Sequence, residues 1–282
     1  MYQEKLRWRI IKDRAFRGIV VLLAVLSMLP LFLILFYILK NGLLALNWEL
    51  FTEIPKPVGE KGGGISNALI GTFMLVCIAG VPAIFLGIAA GTYLSEHKAG
   101  KLAYWSRLGV DVLQGTPSIV IGILVYLWVV VPMGGFSALS GGIALGVMML
   151  PMIIKSTEET LNLIPYSLKE ASLALGVPYY RTILRVILPA GISGIMTGIL
   201  ISVARIAGET APLLFTAFGN AFMNWELSKP VNSLPLLIYN YATSPYAEWH
   251  RVAWGASCVL VGFVLIMNLF ARMVTRKWKM QF

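Results

Sequence analysis

Arg205 and Glu209 stand four positions apart in a run, Ile187 to Gly219, that holds no other charge. An ionised side chain at bilayer depth costs at least ~2.5–3.5 kcal/mol, so each requires a partner or an aqueous cavity. On a helix, positions i and i+4 share a face, and guanidinium and carboxylate can meet there. Two readings stand open. The pair is a salt bridge that locks its helix, or Arg205 offers its planar fork to the oxygens of a passing anion while Glu209 holds it between passages. Counting from Ala190 at 1.5 Å per residue puts Arg205 roughly 22 Å along the run, past its midplane. The remaining chemistry is thin. His97 and His250 are too far apart in the chain to suggest a metal site. Gly62-Gly63-Gly64 is no phosphate cradle, because G-x-x-x-x-G-K-[ST] occurs nowhere in the chain. Without a nucleotide site the chain cannot hydrolyse ATP alone, and no cofactor is expected on it. Asp111 is expected to pair with Lys101 or Arg107.

The elements that must position Arg205 follow from composition. Hydrophobic residues make up 58% of the 282 and charged residues 13%, against roughly 45–50% and 25% in a soluble domain. This excludes a disordered chain, a coiled coil and a disulfide scaffold. Cys77 and Cys258 both fall in apolar runs and read as small core residues. Uncharged stretches long enough to span occur at Gly18–Leu39, from Ser66 to Ser95, at Val112–Ile154, at Ile187–Gly219 and at Val252–Ala271. The third is long enough for two spans, with a turn at Pro132-Met133-Gly134-Gly135. The expectation is an all-α integral membrane protein with six transmembrane helices. The first span follows six basic residues but has no small-x-small cleavage site, so it reads as a retained helix rather than a signal peptide.

Charge placement sets the expected topology. Of 23 Lys and Arg, seventeen fall in the N-terminus, the second and fourth loops and the C-terminus; five fall on the opposite side. The positive-inside rule then puts both termini in the cytoplasm. The net charge of +10 is a topology signal and calls for no nucleic acid. Gly87-x-x-x-Gly91, Gly142-x-x-x-Gly146 and Gly194-x-x-x-Gly198 predict close helix packing. Pro30 and Pro82 are expected to bend the first and second spans.

The fourth loop, about 155–189, is not composed like a spacer. Ser156-x-x-Glu159 and Ser167-x-x-Glu170 fit the capping box. A short apolar helix from Leu168 is expected to stop at Gly176, and Pro178 to open the next helix at its first position. There Tyr180, Ile183, Leu184 and Ile187 recur at helical spacing. Exposed apolar side chains on two angled helices suit a soluble partner, or alternatively a pair lying on lipid.

Glu170-Ala171-Ser172-x-x-x-Gly176, followed after nine residues by Val186-Ile187-Leu188-Pro189, is similar to the EAA signature of ABC importer permeases. Ser172 and Val186 depart mildly from the usual alanine and isoleucine. The resemblance implies a type I importer permease: five core helices over 66–275, an extra helix and external loop in 1–65, and a cytoplasmic tail at 276–282. It also implies that Glu170, Ala171, Ser172 and Gly176 couple the chain to a separate ATPase. The run Ala204-Arg205-Ile206-Ala207-Gly208-Glu209-Thr210-Ala211-Pro212-Leu213-Leu214 resembles the PstA-type permeases of phosphate importers. Gln114-Gly115-Thr116-Pro117-Ser118-Ile119-Val120-Ile121-Gly122 and Ser156-Thr157-Glu158-Glu159 do too. That implies inorganic phosphate as the cargo and Arg205 and Glu209 as pathway residues. It further implies a PstC-type permease, two PstB-type ATPase subunits using Mg-ATP, and a phosphate-binding protein as partners. A permease for phosphonate, sulfate or molybdate keeps every feature except the fifth-helix signature. A self-contained channel or secondary transporter would not need the 155–189 segment, and a membrane receptor or scaffold would not need Arg205.

Overall fold

A computed structural model describes residues 2–60 and 62–277. Met1, Lys61 and the last five residues of the expected tail, Lys279 among them, lie outside the described residues. In chain order the helices are α1 (Tyr2–Ala45), α2 (Trp48–Thr52), α3 (Ser66–Glu96), α4 (Lys101–Gly115) and α5 (Ser118–Met133). They continue as α6 (Ala138–Asn162), α7 (Tyr166–Ala174), α8 (Tyr179–Ala207), α9 (Ala211–Leu214), α10 (Leu234–Ala242) and α11 (Ala247–Lys277). Among the described residues five helices are long and apolar enough to cross a membrane, and the bent pair α4–α5 raises the number to six if it is one span.

The bundle is built around α6, and glycines decide how closely its neighbours approach. A β-carbon on Gly87 or Gly91 of α3 would collide with Ile153 or Thr157 of α6. On the other side Gly191, Gly194 and Gly198 of α8 lie against Leu161, Thr160 and Ser156. Gly142 of α6 in turn receives Ile78 of α3. All three small-residue spacings therefore sit at helix crossings, where backbone contact replaces the hydrophobic drive that lipid cannot supply. Leu75, Leu145, Met149, Ile153, Ile195 and Ile206 fill the buried core between these helices. α1 packs on α11, where Gly42 meets Trp254 and Cys258, and its apolar stretch is otherwise bare. Cys77 is exposed and Cys258 half-buried, so neither is the core residue that its surroundings suggest.

Two expected spans are broken. The third bends by 106° between α4 and α5, at Thr116-Pro117. Proline lacks an amide donor and disfavours helix at the residue before it, which explains the position. The fifth ends at Ala207, earlier than expected, and resumes as the short α9. Pro132 and Pro189 lie within otherwise helical segments, each two residues after a π-helical turn, at Tyr126–Val130 and Ile183–Ile187. The wider turn accommodates the missing donor. Pro30 and Pro82 fall inside continuous helices.

The fourth loop is shorter than expected. α6 continues through Asn162, so Ser156 is not a cap; its side chain lies against Gly198. Ser167 lies inside α7, which starts after Pro165 with no side-chain cap. Pro178 immediately precedes α8 rather than opening it, and that helix runs into the fifth span without a second loop.

Candidate functional site

Arg205 lies in the last turn of α8, before Gly208 ends the helix. Glu209 therefore stands past the helix end, and the expected i, i+4 pair is loose, with Arg205 Nε 3.8 Å from Glu209 Oε1. The arginine side chain is 50% exposed and Glu209 19%. Among the described residues the guanidinium's other partner is the Met152 sulfur, 3.3 Å from Nη1. A thioether is a weak acceptor, so most of the five donors are uncommitted. Met152 lies about 21 Å from the Ala138 end of α6, whose full length is about 37 Å. Arg205 is thus near the middle of the bundle's thickness.

The recess beside Arg205 is shared by the two breaks. Leu113, Gln114 and Thr116, where α4 gives way to α5, line it together with Pro151, Met152 and Arg205. Beyond the breaks α5 and α9 pack on each other, with Gly122 placed so that a β-carbon would lie 2.7 Å from Pro212 Cα. Discontinuous helices meeting at mid-thickness leave polar backbone and side chains where a substrate can use them. Asp111 pairs with Lys155 at 2.6 Å, and not with Lys101 or Arg107. Arg107 is occupied by Glu158 at 2.8 Å and by the carbonyl oxygens of Leu94 and His97 at the end of α3.

The second group of expected residues is on α7. Glu170 and Ala171 are exposed on it, as is Gly176 just beyond its end. Gly176 ends the helical turn with φ +77°, the left-handed conformation that glycine adopts freely. Ser172 points inward instead, is buried, and shares a hydrogen bond of 2.9 Å with Thr182 Oγ1 on α8. The departure from alanine is thus a tie that holds α7 against α8. Ile183 and Ile187 join the core, while Tyr180 and Leu184 stay exposed with Leu163 and Leu175.

Sequence reasoning missed the group that anchors α7. Lys169 forms an ion pair with Glu96, the last residue of α3, and Tyr179 donates to the same carboxylate. Burial works against the lysine's charge, but the Glu96 carboxylate and the Tyr179 hydroxyl outweigh it and hold its pKa above the usual value. Glu96 closes an uncharged run and nothing in its spacing announces a partner on α7. A cavity of about 540 Å³ opens beside the pair, between Lys98, Asn162 and Tyr166. Among the described residues no cluster suited to a metal ion occurs.

Comparison with known proteins agrees with this architecture. The family described as the binding-protein-dependent transport system inner membrane component matches residues 83–280. The chain is 41% identical over 98% of its length to a phosphate transport system permease protein PstA of Yersinia pestis, covering 94% of it. It is 39% identical over 93% of its length to a probable PstA permease of Methanocaldococcus jannaschii, covering 92% of that protein. Among solved structures it resembles the inward-facing MetNI methionine ABC transporter, with a TM-score of 0.62 over 77% of this chain and 98% of the other. That likeness is at 20% identity and speaks for the fold. The chain belongs to the binding-protein-dependent transport system inner membrane components, on their PstA-type branch.

Proposed function

We propose that this chain is one permease subunit of an ATP-driven importer of inorganic phosphate and forms half of its transmembrane path. The observation that carries the reading is the 41% identity, over 98% of the chain, to a protein named a phosphate transport system permease. The chemistry at Arg205 fits that cargo. A guanidinium with uncommitted donors at the meeting of two broken helices can take phosphate oxygens in bidentate fashion. Glu209, 3.8 Å away, keeps the arginine from holding the anion too tightly, because a conducting site must also let go.

A permease component of this family works with an ATPase and a binding protein. Here the ATPase is two PstB-type subunits, which use the Mg-ATP; the second permease is of PstC type and the binding protein carries phosphate. The α7 end of the bundle faces the cytoplasm, as the concentration of Lys and Arg on that side requires, and both termini lie there. Residues 66–275 are the transport unit, α1 is an added helix, and residues 276–282 are a cytoplasmic tail. Glu170 and Ala171 meet the ATPase, with Leu175, Tyr180 and Leu184 as the apolar part of that surface. Ser172 and Gly176 shape it.

The test is reconstitution of the complex in vesicles with the phosphate-binding protein outside and ATP inside. Uptake of labelled phosphate that requires ATP supports the reading. A complex that moves sulfate or molybdate and not phosphate overturns it.

A further inference from the structure

The recess beside Arg205 is lined by a second polar side chain, one without a hydrogen-bond partner among the described residues. Gln114 is the next-to-last residue of α4 and lines that recess together with Arg205. Its side-chain amide makes no hydrogen bond among the described residues. Its polar neighbour Thr116 is committed, since its hydroxyl donates to the Val112 carbonyl at 2.7 Å. Gln114 is exposed in this chain, so its amide is open to water or to a ligand at the recess. The bend after Gly115 puts it where both are available.

We propose that Gln114 is the second contact of the translocated oxyanion and helps to set which oxyanion passes. The inference rests on the reading of Arg205 as a phosphate-path residue. Phosphate near neutral pH carries both bare oxygens and at least one P–O–H. The Gln114 amide matches that mixture, because its N–H donates to a bare oxygen and its carbonyl accepts from the P–O–H. Arg205 supplies donors only. An uncharged amide also adds orientation without the deep well that a second cation would create, which suits a site the anion must leave.

The experiment uses the reconstituted complex with its binding protein, measuring phosphate uptake and ATP hydrolysis side by side. Gln114→Leu keeps the bulk and removes the amide. One hydrogen bond to a charged group corresponds to roughly 10- to 100-fold, so uptake per ATP should fall by at least about tenfold. Gln114→Glu places a negative charge on the path and should fall further. Both are compared in complexes shown to be assembled. Gln114→Cys, with Cys77 and Cys258 replaced by serine, gives an independent readout. Its reaction with a charged, water-soluble thiol reagent should be slowed several-fold by phosphate and not by chloride. Normal uptake in both Leu and Glu variants, or a cysteine that the reagent cannot reach or phosphate cannot protect, overturns the proposal. If Arg205→Gln blocks uptake while the Gln114 variants do not, this inference alone fails. If the wild-type complex carries no phosphate, the functional reading beneath it fails as well.

Discussion

Lys169 on α7 and Glu96 at the end of α3 form an ion pair across 73 positions of sequence, with side chains only 14% and 13% exposed. Tyr179, the first residue of α8, completes the group. One carboxylate therefore ties the surface proposed to meet the ATPase to two helices of the membrane bundle. A rigid link at this point lets displacement of α7 move α3 and α8 together, which a flexible loop would not.

Glu96→Gln should loosen that link. Removing one partner leaves a largely buried lysine uncompensated, worth about 1–3 kcal/mol after allowing for its partial exposure. ATP hydrolysis is expected to continue while phosphate uptake per ATP falls several-fold. Exchange of the two charges, Glu96→Lys with Lys169→Glu, should recover part of the loss. The pH behaviour has a definite sign. The lysine's pKa is raised above its ordinary 10.5, so its contribution is fully present below that value and is lost only as pH rises through the higher native one. Thermal stability should therefore show no Lys169-dependent change between about pH 6 and 9, when wild type and Lys169→Met are compared.

Gly176 tests the shape of the coupling surface. A β-carbon there would meet nothing within 4 Å, so the constraint is the backbone conformation alone, φ +77°. A β-branched residue in that region costs about 1–2 kcal/mol, and asparagine considerably less. Gly176→Val should leave membrane insertion intact and reduce co-purification of the ATPase and uptake, whereas Gly176→Asn keeps most of both. Equal behaviour of the two variants would mean that the turn does not shape the surface.

Much of this architecture was legible because the residues involved obey local rules. Uncharged runs of sufficient length gave the spans, and the glycine pairs gave the crossings, though not which helices cross. Gly176 was readable as a helix stop because only its own backbone is involved. The capping boxes at Ser156 and Ser167 failed because tertiary contact overrode them: α6 stays helical where Gly198 of α8 receives the Ser156 side chain. The bend at Thr116-Pro117 was carried by Gly115-Thr116-Pro117 inside a long uncharged run, where absence of charge alone does not distinguish one straight helix from two angled ones. The partners of Asp111 and Glu96 were out of reach for another reason. They lie 44 and 73 positions away, at Lys155 and Lys169, and no periodicity connects them.

The α6–α8 crossing can be tested through Gly198. A β-carbon there would collide with the Ser156 Oγ and Cβ, while Ser156 Cα is 3.8 Å away, an ordinary contact. Gly198→Ala should destabilise the detergent-solubilised protein by about 1–3 kcal/mol, as overpacking does. Ser156→Gly alone should cost about 0.5–1 kcal/mol through helix propensity. In the double variant the collision is gone, so the two losses should fail to add by at least about 1 kcal/mol. Melting curves of the four proteins settle it, and simple additivity would mean that the helices do not meet there.

Substitutions at Arg205 and Glu209 separate the two roles open to Arg205. Arg205→Gln removes the charge and the fork while keeping some hydrogen bonding and most of the length. If the arginine serves only to hold Glu209, the variant fails because a carboxylate is left unpaired, and Glu209→Gln added to it should restore uptake. The geometry argues against that outcome. A separation of 3.8 Å and a half-exposed guanidinium are poor marks of a locking bridge. If Arg205 meets phosphate, the double variant stays inactive, since no cation remains to replace the anion's hydration. Glu209→Gln alone should then keep its assembly and bind the anion more tightly, slowing release. Labelled phosphate uptake is measured in the wild type, both single variants and the double, each in a complex verified to contain its ATPase. A drop of at least about 100-fold in Arg205→Gln, unrelieved in the double, corresponds to about 2.7 kcal/mol of lost stabilisation, in the range of a charge-assisted contact. Near-normal uptake in the double variant would make Arg205 a structural residue and leave the path to be sought elsewhere in the recess.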